Sequence, residues 1–216
     1  MKLIPMVVVL GLLLSLCNIV EKFKGSKNDN GNSNSSSSGS SSSDKNGLPP
    51  ADKPEPTAAQ TAAIAGGQSV TWNQQGISWT LPSNWTELSK STEMFNWKSP
   101  GSWDAAFIIS NISAMGADFP TDVSLKATFD SAVADKKNGK YEEVRWLELD
   151  GIRGVLTREP LQEGKENPRR LQWRAYRKYA GQVQLVSIML SSQSQHFDMH
   201  KDAMYGILYS SKLVHE

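Results

Sequence analysis

The chain has 216 residues with 23 Lys and Arg against 22 Asp and Glu, a formal charge of +1, and from Gln68 onward the two signs stand at 17 each. That balance excludes the basic footprint of a nucleic-acid binder. The only cysteine is Cys17, so the rest of the chain lacks a disulfide, a thiolate metal site and a Cys nucleophile.

At the N-terminus, Lys2 precedes an apolar run from Leu3 to Val20, the pattern of a secretory signal or membrane anchor over residues 1–20. Leu14-Ser15-Leu16-Cys17 resembles a bacterial lipobox, whose cysteine is lipidated after cleavage. Leu16 departs from the small residue usual before that cysteine. A lipidated Cys17, an uncleaved anchor and simple secretion all place the remaining residues outside the cytoplasm, as a periplasmic or cell-surface protein. Lys22, Lys24 and Lys27 weigh against the anchor through the positive-inside bias.

Residues 21–67 carry the serine run Ser35–Ser43, interrupted by Gly39, and then Pro49-Pro50-Ala51-Asp52-Lys53-Pro54-Glu55-Pro56. Too little apolar surface is present to offset ~1–2 kcal/mol of backbone entropy per residue. The segment is expected to be a disordered tether, stiffer in its Pro-bearing half, holding the domain off the lipid surface. The Ala-rich patch Thr57–Ala65 is read as more of the same rather than as a helix.

Residues 68–216 hold all seven tryptophans and are the folded domain. Val70–Asn73 and Ile77–Leu81 read as a hairpin around Gln74-Gln75-Gly76. Strands come next at Met94–Trp97 and Ala105–Ile112. In Asp122–Asn138, Leu125, Phe129 and Val133 recur every fourth residue, a helix with Thr121 or Asp122 as cap and Asn138-Gly139 as its end. Val144–Leu149, Asp150-Gly151 and Ile152–Arg158 form a second hairpin. Arg170–Tyr179, Ala180-Gly181 and Gln182–Ser191 form a third. A two-residue turn there sets Leu171 opposite Leu190, Trp173 opposite Ile188 and Ala175 opposite Val186, one wholly apolar face. The opposite face, with Tyr176 by Leu185 and Gln172 by Met189, is half apolar and needs partial cover by a helix. A last helix from Ser194 to Ser210 buries Phe197, Met204, Ile207 and Leu208. The sum is an α+β fold, a largely antiparallel sheet sandwiched by helices.

Ile77-Ser78-Trp79-Thr80-Leu81-Pro82-Ser83-Asn84-Trp85 resembles the opening of PsbP-like domains, a family that includes extrinsic photosystem II proteins and bacterial DcrB-type lipoproteins. The end, Phe197 and then Met204 to Leu213, resembles their terminal helix and its Ser-Lys-Leu exit. The resemblance implies an α/β/α sandwich that serves as a binding or assembly module, and it transfers no catalytic residue.

Two groups of side chains stand out as candidate sites. His196 and His200 lie at i, i+4, a spacing that can chelate Zn or Cu; a first-turn polar face is the simpler reading. Arg170, Arg174 and Lys178, interleaved with Tyr176, could meet an anionic partner, though acidic neighbours on adjacent strands make an ordinary solvated face of it. No Gly-x-Ser-x-Gly elbow is present. Trp72, Trp79, Trp85, Trp97 and Trp103 crowd one third of the domain, which leaves an envelope carbohydrate-binding protein or hydrolase as the alternative. The leading expectation is a non-catalytic module without a cofactor, held to a membrane through its N-terminus and meeting a protein partner.

Overall fold

The computed structural model describes residues 48–216. The signal or anchor over 1–20, lipidation at Cys17 and the tether up to residue 47 lie outside the described residues.

Ten strands and three helices make up the described chain: α1 (Ala58–Ile64), β1 (Gln68–Trp72), β2 (Ile77–Leu81), β3 (Thr86–Lys90), β4 (Met94–Lys98), β5 (Phe107–Met115), α2 (Thr121–Lys137), β6 (Glu143–Leu149), β7 (Ile152–Arg158), β8 (Pro168–Tyr179), β9 (Gln182–Gln193), α3 (Phe197–Tyr209) and β10 (Lys212–Leu213). A seven-stranded sheet runs β3-β4-β5-β9-β8-β7-β6, and a smaller one runs β1-β2-β10. Every pairing between strands is antiparallel. The α+β fold class is the direct result.

The β8–β9 hairpin has the register read from its sequence: Leu171, Trp173 and Ala175 face Leu190, Ile188 and Val186. Its turn places Ala180 at φ 51° and Gly181 at φ 73°, and the β6–β7 turn does the same with Asp150 and Gly151 at 49° and 84°. Positive φ at both central residues gives the primed turn whose twist matches the strands it joins. Trp173 needs one further concession. A Cβ on Gly154 would meet its indole at 2.4 Å, so only glycine admits the ring, whose Nε1 donates to the Leu147 carbonyl at 2.9 Å.

The Trp173 face is closed by Phe197, Met204, Ile207 and Leu208 of α3 and by Ile77, Trp79 and Leu81 of the small sheet. Phe95 sits between Trp79 (4.6 Å), Trp72 and Trp97 (6.0 Å each), measured between ring centroids. Five tryptophans are therefore core side chains in this one cluster: Trp72, Trp79, Trp85, Trp97 and Trp173. Of the five that crowd the first third of the domain, four are thus core, which leaves the carbohydrate alternative only Trp103 as an exposed ring. On the opposite face α2 covers β6–β8, with Phe129 stacked on Trp146 at 4.5 Å and Leu125 and Val155 beside them. Neither Thr121 nor Asp122 caps α2; the cap position is Pro120, without a side-chain hydrogen bond.

The boundary of the tether also needs correction. Residues 48–67 belong to the folded unit. Leu48 and Ala51 pack on the α2 cluster. Asp52 bridges in parallel to Leu147, accepting from Glu148 N at 2.8 Å and donating to Trp146 O at 3.2 Å. Thr57 and Gln60 form a capping box that starts α1, and Ile64 packs on the main core. The capping box starts a helix in a stretch whose composition reads as linker. The approach is so close that a Cβ on Gly206 of α3 would lie 2.6 Å from the Gln60 carbonyl oxygen.

A chain beginning at Leu48 should melt like the full-length protein, whereas one beginning at Gln68 should melt lower, as monitored by circular dichroism. Gly206→Val should lift α1 from α3 and cost about 1–3 kcal/mol, the usual penalty of overpacking, measured by urea unfolding.

Candidate functional site

Both primed turns, the start of α2 and the C-terminal residues meet at one end of the large sheet. There they enclose an open cleft of about 750 Å³, lined by Thr121, Asp122 and Leu125 of α2, Glu148, Gly151, Ile152 and Arg153 around the β6–β7 turn, Tyr176, Arg177 and Lys178 of β8, His215, Glu216 and Leu48. The volume lies within the usual range of small-molecule sites, roughly 300–1,000 Å³.

Arg177 faces the other side of β8 from Tyr176 and Lys178. It is 4% exposed and none of the described carboxylates pairs with it. Its guanidinium donates instead to Gln75 O (2.6 Å), Val214 O (2.8 Å) and Gln184 Oε1 (3.1 and 3.0 Å), and it lies 4.4 Å from the centre of the Tyr179 ring. Burial pulls its pKa down to about 10, against the opposing influence of the Tyr179 phenol. Carbonyl and amide oxygens thus satisfy a buried cation that no ion pair compensates. The same bonds fasten the turn at Asn73–Gln75 and the C-terminal segment, which Asp150 secures again by accepting from Leu213 N at 2.8 Å.

The walls are less committed. Tyr176 packs on Phe119 at 5.1 Å, and burial raises its phenol pKa. Neither its hydroxyl nor the Lys178 amine makes a hydrogen bond to another described residue. Arg170 is elsewhere: at the opposite end of β8, roughly 27 Å away by strand rise, it donates to Glu159 Oε1 at 3.0 Å. Arg174 lies on the same face between them and is exposed. Of the four strand residues read as one basic-aromatic surface, the fold brings Tyr176 and Lys178 into the cleft and keeps Arg170 out. Leu48, Arg153, His215 and Glu216 carry no local signal in the sequence and join the cleft only through long-range contacts.

His196 and His200 occupy the start of α3. The His200 Nε2 faces the Asp104 carbonyl oxygen at 2.6 Å. Among the described residues no group of three or more His, Cys, Asp or Glu is placed to hold a metal ion.

A second polar cluster, at the edge strand β6, is fully engaged. Arg145 donates to Glu143 (2.8 Å), Asp52 (3.3 Å) and the Tyr209 hydroxyl (2.7 Å), while the Tyr205 hydroxyl donates to Glu143 at 2.5 Å. Arg169, stacked on Phe197 at 4.4 Å, bonds Glu142 and Asp198. Burial raises the Glu143 pKa, yet hydrogen bonds from Tyr205 and Arg145 and the nearby Arg158 charge outweigh it, so the group ends below its usual value. The cluster ties α3 to the sheet.

The Glu143 cluster has a pH signature. A carboxylate whose folded pKa is lowered contributes stability that is complete above its unfolded pKa of about 4.3 and is lost as pH falls through the folded value. The wild-type melting temperature should therefore drop steeply below about pH 4.5. Glu143→Gln should start lower at neutral pH and show a shallower acid limb, measured by thermal melts across pH 2–7.

No family model matches the chain, and no curated protein matches it in sequence. A protein from Bacteroides thetaiotaomicron VPI-5482, among solved structures, is similar at 13% identity over 65% of this chain, TM-score 0.41; the match spans 46% of that protein's length. The chain is similar to LpqN, involved in cell envelope biogenesis of Mycobacterium tuberculosis, at 15% identity over 68% of this chain and 85% of that one, TM-score 0.47. It is similar also to cyanobacterial PsbP (CyanoP) from Synechocystis sp. PCC 6803, at 15% identity over 68% and 92%, with a TM-score of 0.46.

Proposed function

We propose that the chain is a non-catalytic binding or assembly module working outside the cytoplasm, tethered to a membrane by its N-terminus as a bacterial lipoprotein is, and that the cleft at the β6–β7 and β8–β9 turns holds its partner or ligand. One observation carries the reading: β8, pinned at Arg177 by bonds to three separate segments, turns side chains with unused donors into the cleft, the Tyr176 hydroxyl and the Lys178 amine. Fixed geometry beneath free polar groups favours selective recognition, since little ordering remains to oppose binding. The apolar run before Cys17 supports the location, and Leu48, where the N-terminal segment joins the domain, lines the cleft itself.

A photocrosslinking residue at position 178 of the full chain, expressed in a bacterial envelope, tests the site. A discrete adduct is expected, and Lys178→Ala or Tyr176→Ala, each probed with the crosslinker moved to Val123, should lower its yield about tenfold, the loss of roughly one charged or buried hydrogen bond. Unchanged yield in both variants, with unchanged melting, would place the binding surface elsewhere. A periplasm-active reporter after Glu216 and the mass of the mature N-terminus test location and lipidation. A signal only from a cytoplasmic reporter removes the location, and an intact Met1 with an unmodified Cys17 removes the lipoprotein form.

A further inference from the structure

At the end of the sheet opposite the cleft, three segments converge on the start of α3. The loop between β4 and β5 is held there by the contact between Asp104 O and His200. The loop between β7 and β8 is held by Gln162 N donating to Ser194 Oγ at 2.9 Å, Ser194 N to Asn167 O at 2.8 Å and Gln195 N to Lys165 O at 3.1 Å. Each segment presents one large apolar side chain to solvent: Trp103 is 80% exposed, Leu161 68% and Met199 63%. The other six tryptophans are no more than 8% exposed, so Trp103 breaks a rule the rest of the sequence keeps.

We propose that this end docks on the bilayer to which the chain is tethered, seating Trp103, Leu161 and Met199 at the boundary between headgroups and acyl chains. The inference rests on the membrane-tethered reading above. Trp is the side chain that favours that boundary, its ring apolar and its N–H wet. The chain outside the described residues supplies the proximity. Between the apolar run and Leu48 stand ~27 residues, whose greatest possible span is about 90 Å. Leu48 joins at the cleft end, so with Trp103 on the lipid the N-terminal segment must run back past the domain, about 40 Å across, a distance within that span. Tethering of this kind raises the local concentration to the millimolar range, at which three shallow contacts suffice. Close in sequence to the three side chains stand Asp104, Glu163, Asp198 and Asp202 against Lys165 and Lys201, so the attraction is apolar and does not call for anionic lipid.

Because Trp103 is the one exposed tryptophan, it is its own probe. The full chain is reconstituted through its N-terminus into phosphatidylcholine vesicles, and iodide quenching is compared with that of the domain released by proteolysis in the tether. Docking predicts several-fold weaker iodide quenching on vesicles, appearance of quenching by acyl-chain-brominated lipid, no gain from added anionic lipid, and loss of both effects in Leu161→Ser/Met199→Ser. Trp103→Ser should abolish the iodide-sensitive fraction in every sample, confirming the assignment. If the chain sediments with vesicles yet Trp103 stays as open to iodide as in the released domain, docking is wrong and tethering stands. If the chain does not sediment with vesicles, both readings fail. Shielding found only in native membranes, and not in pure lipid, would assign the surface to a protein and overturn docking on lipid.

Discussion

The register of the β8–β9 hairpin is the constraint on which the rest depends. Side chains alternate along a strand, so a slip of one residue would exchange its two faces entirely. With Ala180 and Gly181 in the turn, Trp173 enters the core over Gly154, Arg177 goes beneath the C-terminal segment, and Tyr176 and Lys178 point the other way into the cleft. The hairpin is the centre of the large sheet: β5 joins it on one side and β7 on the other. An error in this turn would move the tryptophan core and the cleft together.

Arg177 and the Glu143 cluster show two ways of keeping charge inside a small domain. Around Glu143, opposite charges and tyrosine hydroxyls share a partly buried edge, and α3 is fastened to the sheet by them. Arg177 has only neutral acceptors. Such a cation restrains geometry more than it stabilises: each acceptor must stay in place, or a buried charge loses part of its solvation. The turn before β2 and the last residues of the chain are thus fixed relative to β8, and with them the shape of the cleft.

Much of the fold is legible because it is local. The four-residue period of Leu125, Phe129 and Val133 marks α2, and the Asp150-Gly151 and Ala180-Gly181 turns mark two hairpins and their register. The half-apolar face around Tyr176 asks for the helix that covers part of it. The layers match those that the resemblance to PsbP-like domains implies. Other elements leave no such mark. All five residues of β3 are exposed, so no alternation reveals it, and β10 is two residues long. Helix α1 buries none of its residues deeply; a capping box, the bare backbone at Gly206 and the single apolar contact of Ile64 hold it, and none of these gives an apolar stripe. Of the cleft, Tyr176 and Lys178 stand out as neighbours on one strand. His215, Arg153 and Leu48 do not, because only the closed sheet brings their segments together.

The parallel bridge between Asp52 and Leu147 bears on how the protein fares among other chains. Strand β6 is the last in its sheet, and an unpaired outer strand is a template on which another chain can build. The protein guards that strand with the segment at Asp52 that precedes α1. A protease cut between residue 52 and α1 would leave the two hydrophobic cores almost intact while loosening the guard. The sheet would then be open to pairing with a second copy, and a single cut would both sever the N-terminal segment and expose a template for aggregation.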